Sequence, residues 1–200
     1  MPGMKNPTTR WSCRYIVFFL LIISAASVFA QDVYLCVWRN PERTMTRIFP
    51  DAKDYLSVNE KISPRQLEAI EKKLGFGLLP GQRDVFPYYT MTGENGKRIG
   101  TIIAVTQKGQ YGAIEFVFGL DTNMVIKDLY VQRARERDRQ FKKREFLDLF
   151  VGQKAKDAFS FDKLYSGDAS PGTDAVIQGL KKALVTYDHL VVNKQKATSE

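Results

Sequence analysis

The residues best suited to chemistry lie between Leu164 and Val176, in the run LYSGDASPGTDAV. Gly167, Ala169 and Gly172 let backbone come close to a ligand, Ser170 and Thr173 bring hydroxyls, and an amphipathic segment follows. A helix that starts in this way offers unpaired N–H groups and the positive end of its dipole, so the chemistry it suits is phosphate binding. Asp168 and Asp174 oppose that reading by adding negative charge, and a Ser/Gly/Pro run before a capped helix is also an ordinary loop. Elsewhere the sequence excludes several reaction classes. His189 is the sole histidine, and no Cys or carboxylate cluster has metal-ligand spacing, so classical triads and zinc sites are not expected. Glu115 and Glu136 are isolated carboxylates expected at the surface or in salt bridges, and His189 is expected in a solvated tail.

The elements that position this loop follow from periodicity. Asn40 and Pro41 suit an N-cap and first helical position, with Met45, Ile48 and Phe49 on one side and Pro50 closing the segment. Ser63, Pro64 and Gln66 form a capping box, Leu67, Ile70 and Leu74 make a helical stripe, and Gly75 ends it. The period then changes. Val85–Thr92, Ile99–Gln107, Ala113–Gly119 and Met124–Gln132 are rich in β-branched and aromatic residues, and turn chemistry separates them at Glu94-Asn95-Gly96-Lys97, Lys108-Gly109-Gln110 and Asp121-Thr122-Asn123. Strands joined so tightly are antiparallel. Ile114, Phe116 and Phe118 alternate with Ala113, Glu115 and Val117, which predicts one face on the core and one partly open. Phe146, Leu147, Phe150 and Val151 predict a further helical face ended by Gly152. A last helix is expected from Thr173, as its N-cap, to Tyr187. The fold class is α+β: an antiparallel meander covered by helices, in a single domain.

The first 30 residues have a different character. Lys5, Arg10 and Arg14 precede an apolar run from Tyr15 to Ala30, and Val28 and Ala30 supply small residues before Gln31. This reads as a secretory signal cleaved after Ala30, with an uncleaved anchor as the alternative. Residues 31–200 then form the domain, with its core at about 41–187, located outside the cytoplasm: periplasmic or extracytoplasmic, and membrane-associated. Cys36 is the only cysteine beyond this segment, so no internal disulfide forms. The formal charge is +8 for the whole chain and +5 once the three basic residues of the first 30 are set aside. The excess gathers in RARERDRQFKKRE, Arg133 to Glu145, with seven basic and three acidic residues. Only Phe141 interrupts it, which argues against nucleic acid and for a solvated face, dispensable for folding, with an anionic membrane surface as a weaker reading.

Several segments in order resemble the FMN-binding domain family, the exported domains of the G subunit of Rnf electron-transport complexes and the C subunit of sodium-translocating NADH:quinone reductase. They are RIFPDAKDY, SPRQLEAIEKKLG, KRIGTIIAV, YGAIEFVFGLD, FLDLFVGQK and AVIQGLKKAL, spanning about Pro41 to Tyr187. In that family a Ser-Gly-Ala-Thr motif precedes the last helix, and a flavin transferase joins its Thr to the FMN phosphate. Counting back from Ala175 and Val176 puts Gly167, Asp168, Ala169 and Ser170 on these positions, with Ser170 at the attachment site. A second alignment uses Ser166 and Gly167 for the leading pair and needs an insertion. The resemblance implies an electron-transfer protein that binds FMN through Gly167, Asp168, Ala169, Ser170, Gly172 and Thr173, has its isoalloxazine near Tyr111 and Gly112, and serves membrane redox partner proteins. Attachment at Ser170, non-covalent FMN, and a flavin-free binding or assembly module with the same fold are its three forms.

Overall fold

A computed structural model of the protein describes residues 41–194. The expected signal, Asn40 and Cys36 lie outside the described residues. Five strands form one antiparallel sheet in chain order: β1 (Asp54–Lys61), β2 (Val85–Thr92), β3 (Arg98–Lys108), β4 (Ala113–Asp121) and β5 (Ile126–Arg133). The helices are α1 (Glu42–Ile48), α2 (Pro64–Leu74), the single turn α3 (Arg144–Leu147) and α4 (Pro171–Tyr187), with a 3₁₀ segment at Ala155–Lys163. The expected α+β class and meander are therefore present.

Local signals explain most of the meander. The β2–β3 turn uses Asn95 at φ 59° and Gly96 at φ 69°, the left-handed pair that a tight hairpin demands. Asp121 Oδ1 accepts from the N–H groups of Asn123 and Val125, at 2.8 and 2.9 Å, which closes the β4–β5 turn. In α2 the Ser63 and Gln66 capping box forms and Gly75 ends the helix in the left-handed region. β1 was not foreseen. Its run DYLSVNEK is mostly exposed, as befits an edge strand, so it lacks the apolar density by which β2 to β5 stand out.

The main core lies on one sheet face, where Phe116, Phe118, Ile103 and Val105 meet Val176, Leu180 and Leu184 of α4 and Ile70 of α2. The opposite face is not partly open as the alternation of Ala113, Glu115 and Val117 suggested. Val117 is wholly buried in a second cluster with Met45, Ile48 and Phe49 from the end of α1, together with Met91 and Ile102. Gly100 and Gly119 make this possible, because a Cβ at either would overlap Phe49 or Ile48. Two other expectations also change. The predicted face from Phe146 to Val151 is one helical turn followed by tight turns, and its apolar residues reach the core without a longer helix. His189 is not in a loose tail: it lies half-buried in a π-helical turn, Asp188–Val192, that continues α4.

Candidate functional site

The chain enters α4 through Ser170, not Thr173. Ser170 is the N-cap in extended backbone, Pro171 takes the first helical position, and Thr173 is the third residue inside. The Ser170 Oγ accepts from Thr173 N–H at 3.2 Å, while Thr173 Oγ1 accepts from Ser170 N–H at 2.9 Å. This reciprocal box is the device seen at Ser63, and the Ser-Pro pair common to both was the signal that locates it. Thr173 is fully buried, so its hydroxyl faces no ligand.

The remaining valence of the Ser170 hydroxyl is also used. It donates to Asp138 Oδ2 at 2.7 Å, and Asp138 Oδ1 accepts from Gln140 N–H at 2.8 Å. A carboxylate of the protein thus stands at the start of α4, where the dipole and N–H groups favour an anion. Gly172 does not open a path to this point. A Cβ there would overlap the Phe141 ring and come within 2.6 Å of Asp138 Oδ2, so its missing side chain admits Phe141 and Asp138. Phe141 is completely buried.

Tyr111 and Gly112 lie at the β3–β4 turn, and the segment after β5 meets them. Glu136 Oε1 accepts from Tyr111 N–H at 2.9 Å, and the Arg137 guanidinium lies 4.7 Å from the Tyr111 ring centroid. Gly112 adopts φ 152°, and Gly109 N–H donates to its carbonyl at 2.8 Å. Glu136 is buried, so it is not a surface carboxylate; among the described residues no cation lies in ion-pair range, and it acts as the clamp on this turn. Glu115 is buried too and lies 3.8 Å from Arg133. Glu136 and Asp138 therefore join the two halves of the predicted site, the Tyr111 turn and the α4 start. Sequence reasoning named Glu136 only as an isolated carboxylate and passed over Asp138, although both alternate with arginines in a run whose spacing was plain.

Of the other predicted residues, Asp168 and Ala169 are exposed. Gly167 lies beneath the Tyr165 ring, and Tyr165 Oη donates to the Asp168 carbonyl at 3.3 Å. Beside them is a cleft of about 240 Å³ whose walls include Gln140, Lys143, Phe146, Leu149, Tyr165 and Gly167. Tyr165 packs edge-on against Phe146 with centroids 5.1 Å apart, giving the cleft an aromatic wall.

The residues at the α4 start do not fit an FMN phosphate. Asp138 fills the position with like charge, and the Ser170 hydroxyl already donates to it while accepting from Thr173. Among the described residues no cluster of His, Cys, Asp or Glu could hold a metal ion, and no helix is long and apolar enough to cross a membrane. The chain matches no protein-family model and no curated protein.

Proposed function

We propose that this domain is a flavin-free binding or assembly module that keeps the architecture of the FMN-binding domains and acts outside the cytoplasm. The observation that carries this reading is the 2.7 Å hydrogen bond from Ser170 to Asp138, which gives the anion position before α4 to the protein's own carboxylate. A phosphate brought to Ser170 would meet that carboxylate, and like charges at such separations oppose each other strongly outside bulk water. Phe141 behind Gly172 closes the same place sterically. The design exchanges a ligand for an internal contact, so the loop rigidifies the domain instead of holding a cofactor.

A second reading rests on a different observation, the cleft beside Tyr165. There FMN would be held without a covalent bond, its ring against Phe146 and Tyr165 and its phosphate near Lys143 and the Gly167 backbone. Bound flavin would supply one- and two-electron transfer, and the chain would relay electrons to membrane redox partner proteins. Attachment at Ser170 by a flavin transferase would further require Asp138 to leave.

One measurement separates the readings. The protein is purified from cells that also make a flavin transferase, and its visible absorbance and intact mass are recorded before and after denaturation and filtration. Colourless protein of unmodified mass that takes up no FMN supports the module. Flavin released on denaturation establishes the second reading, and flavin that stays with the chain, mapped to the Ser170 peptide, overturns both the module and the closed α4 start.

A further inference from the structure

The run from Arg133 to Arg139 alternates basic and other residues, and the fold sorts them by side. Glu136 is buried under the β3–β4 turn and Asp138 is half-buried against Ser170, whereas Arg133, Arg135, Arg137 and Arg139 are all exposed. Arg133 approaches Glu115, but no carboxylate among the described residues lies in ion-pair range of Arg135, Arg137 or Arg139. Residues 133–139 carry four arginines and two carboxylates, and because both carboxylates are drawn inward the outer side of the run is cationic.

An aromatic group stands with these arginines. Tyr111 is 44% exposed at the tip of the β3–β4 turn, held from below by Glu136 and stacked by Arg137. Lys108 is exposed on the same turn. Arg135 lies against Gly112 on the same turn, and exposed cations beside a held, exposed tyrosine suit the headgroup layer of a bilayer, where guanidinium groups meet phosphates and an amphipathic ring rests at the interface. Nucleic acid is less well served. The arginines occupy an irregular segment rather than a groove-reading helix or a stacking sheet, and Arg137 already covers one face of the Tyr111 ring.

We infer that Arg135, Arg137 and Arg139, with Tyr111, form a docking surface for an anionic phospholipid bilayer. Binding is electrostatic and needs no specific lipid. Each arginine contributes about 5-fold, so the three give on the order of 100-fold preference for anionic over neutral vesicles at low salt, lost as salt screens the pairings.

The test uses the full chain with sedimented vesicles of phosphatidylcholine alone and of phosphatidylcholine with phosphatidylglycerol. The ratio of the two partition coefficients is compared between wild type and variant, because the apolar run at Tyr15–Ala30 and its basic flank Lys5, Arg10 and Arg14 contribute alike to both proteins. The wild type should prefer anionic vesicles by at least about 100-fold and lose that preference in high salt. The triple variant Arg135→Gln, Arg137→Gln, Arg139→Gln should lower the ratio by about 100-fold, whereas the matching triple Lys variant should keep it. A wild-type ratio near one, or a Gln variant that retains the wild-type ratio, overturns the inference. Retention of duplex DNA without any vesicle preference overturns it in favour of a nucleic-acid partner. Circular dichroism guards the Gln variant against unfolding, and the salt dependence of the wild type stands even if that variant fails to fold.

Discussion

Removing the Asp138 carboxylate tests the closed α4 start directly. In Asp138→Ala two hydrogen bonds disappear, the one from Ser170 Oγ at 2.7 Å and the one from Gln140 N–H at 2.8 Å. Bonds to a charged acceptor are worth about 1.5–3 kcal/mol each in dry surroundings, and the half-exposed position of Asp138 roughly halves that. The favourable charge at the helix start adds about 0.3–1 kcal/mol. Water can replace part of what is lost, which leaves a destabilisation of about 2 kcal/mol for Asp138→Ala. Asp138→Asn keeps an acceptor for Gln140 N–H and loses mainly the charge, so about 1 kcal/mol is expected. For a chain of this size that corresponds to Tm decreases of about 4–8 °C and about 2–4 °C. Scanning calorimetry measures both. A second arm adds inorganic phosphate: with Asp138→Ala the released Ser170 hydroxyl and Gln140 N–H, at the positive end of α4, should bind it and raise Tm, while the wild type should respond little. An Ala variant within about 0.5 kcal/mol of wild type, or phosphate stabilising the wild type as strongly, would refute the argument that this carboxylate occupies an anion position.

Ser170→Ala removes the N-cap of α4 and the donor to Asp138, so urea denaturation should show a loss of about 1–2 kcal/mol, more than a loop hydroxyl would give. Gly172→Val drives a branched side chain into the Phe141 ring, and a loss above about 2 kcal/mol should appear in the same assay. Arg135→Gln, Arg137→Gln and Arg139→Gln together should shift stability by no more than about 1 kcal/mol, since all three are exposed and have no carboxylate in range among the described residues. Burial, followed by the neighbouring Tyr187, holds the Tyr88 phenol above its ordinary value of 10.0. The folded state thus favours the protonated phenol, so its contribution is complete below about pH 10 and is lost as pH rises toward the higher folded value. Tyr88→Phe should flatten the alkaline fall in Tm, and an unchanged slope would assign that fall to other groups.

The elements that could be read from the chain are those decided by neighbours in sequence. Ser63, Pro64 and Gln66 lie within one turn and cap α2 with no help from elsewhere, and Asn95-Gly96 turns β2 into β3 through its own backbone preference. The apolar density of β2 to β5 announced the sheet, and the tight turns left only antiparallel pairing. Ser170 belonged to the same legible class, since Ser-Pro repeats the α2 signal, although the hydroxyl-rich loop drew attention to Thr173. What remained hidden depended on distant packing. Coverage of the second sheet face needed α1 to bring Phe49 onto Gly100 and Gly119, a contact that strand alternation cannot express. The charge of the basic run shows the same limit. Its composition records carboxylates interleaved with arginines, but only the fold brings Tyr111 N–H to Glu136 across 25 residues and Ser170 to Asp138 across 32. Those donors draw the carboxylates inward because a hydrogen-bonded carboxylate tolerates burial, and the arginines, with no such partner inside, remain in water.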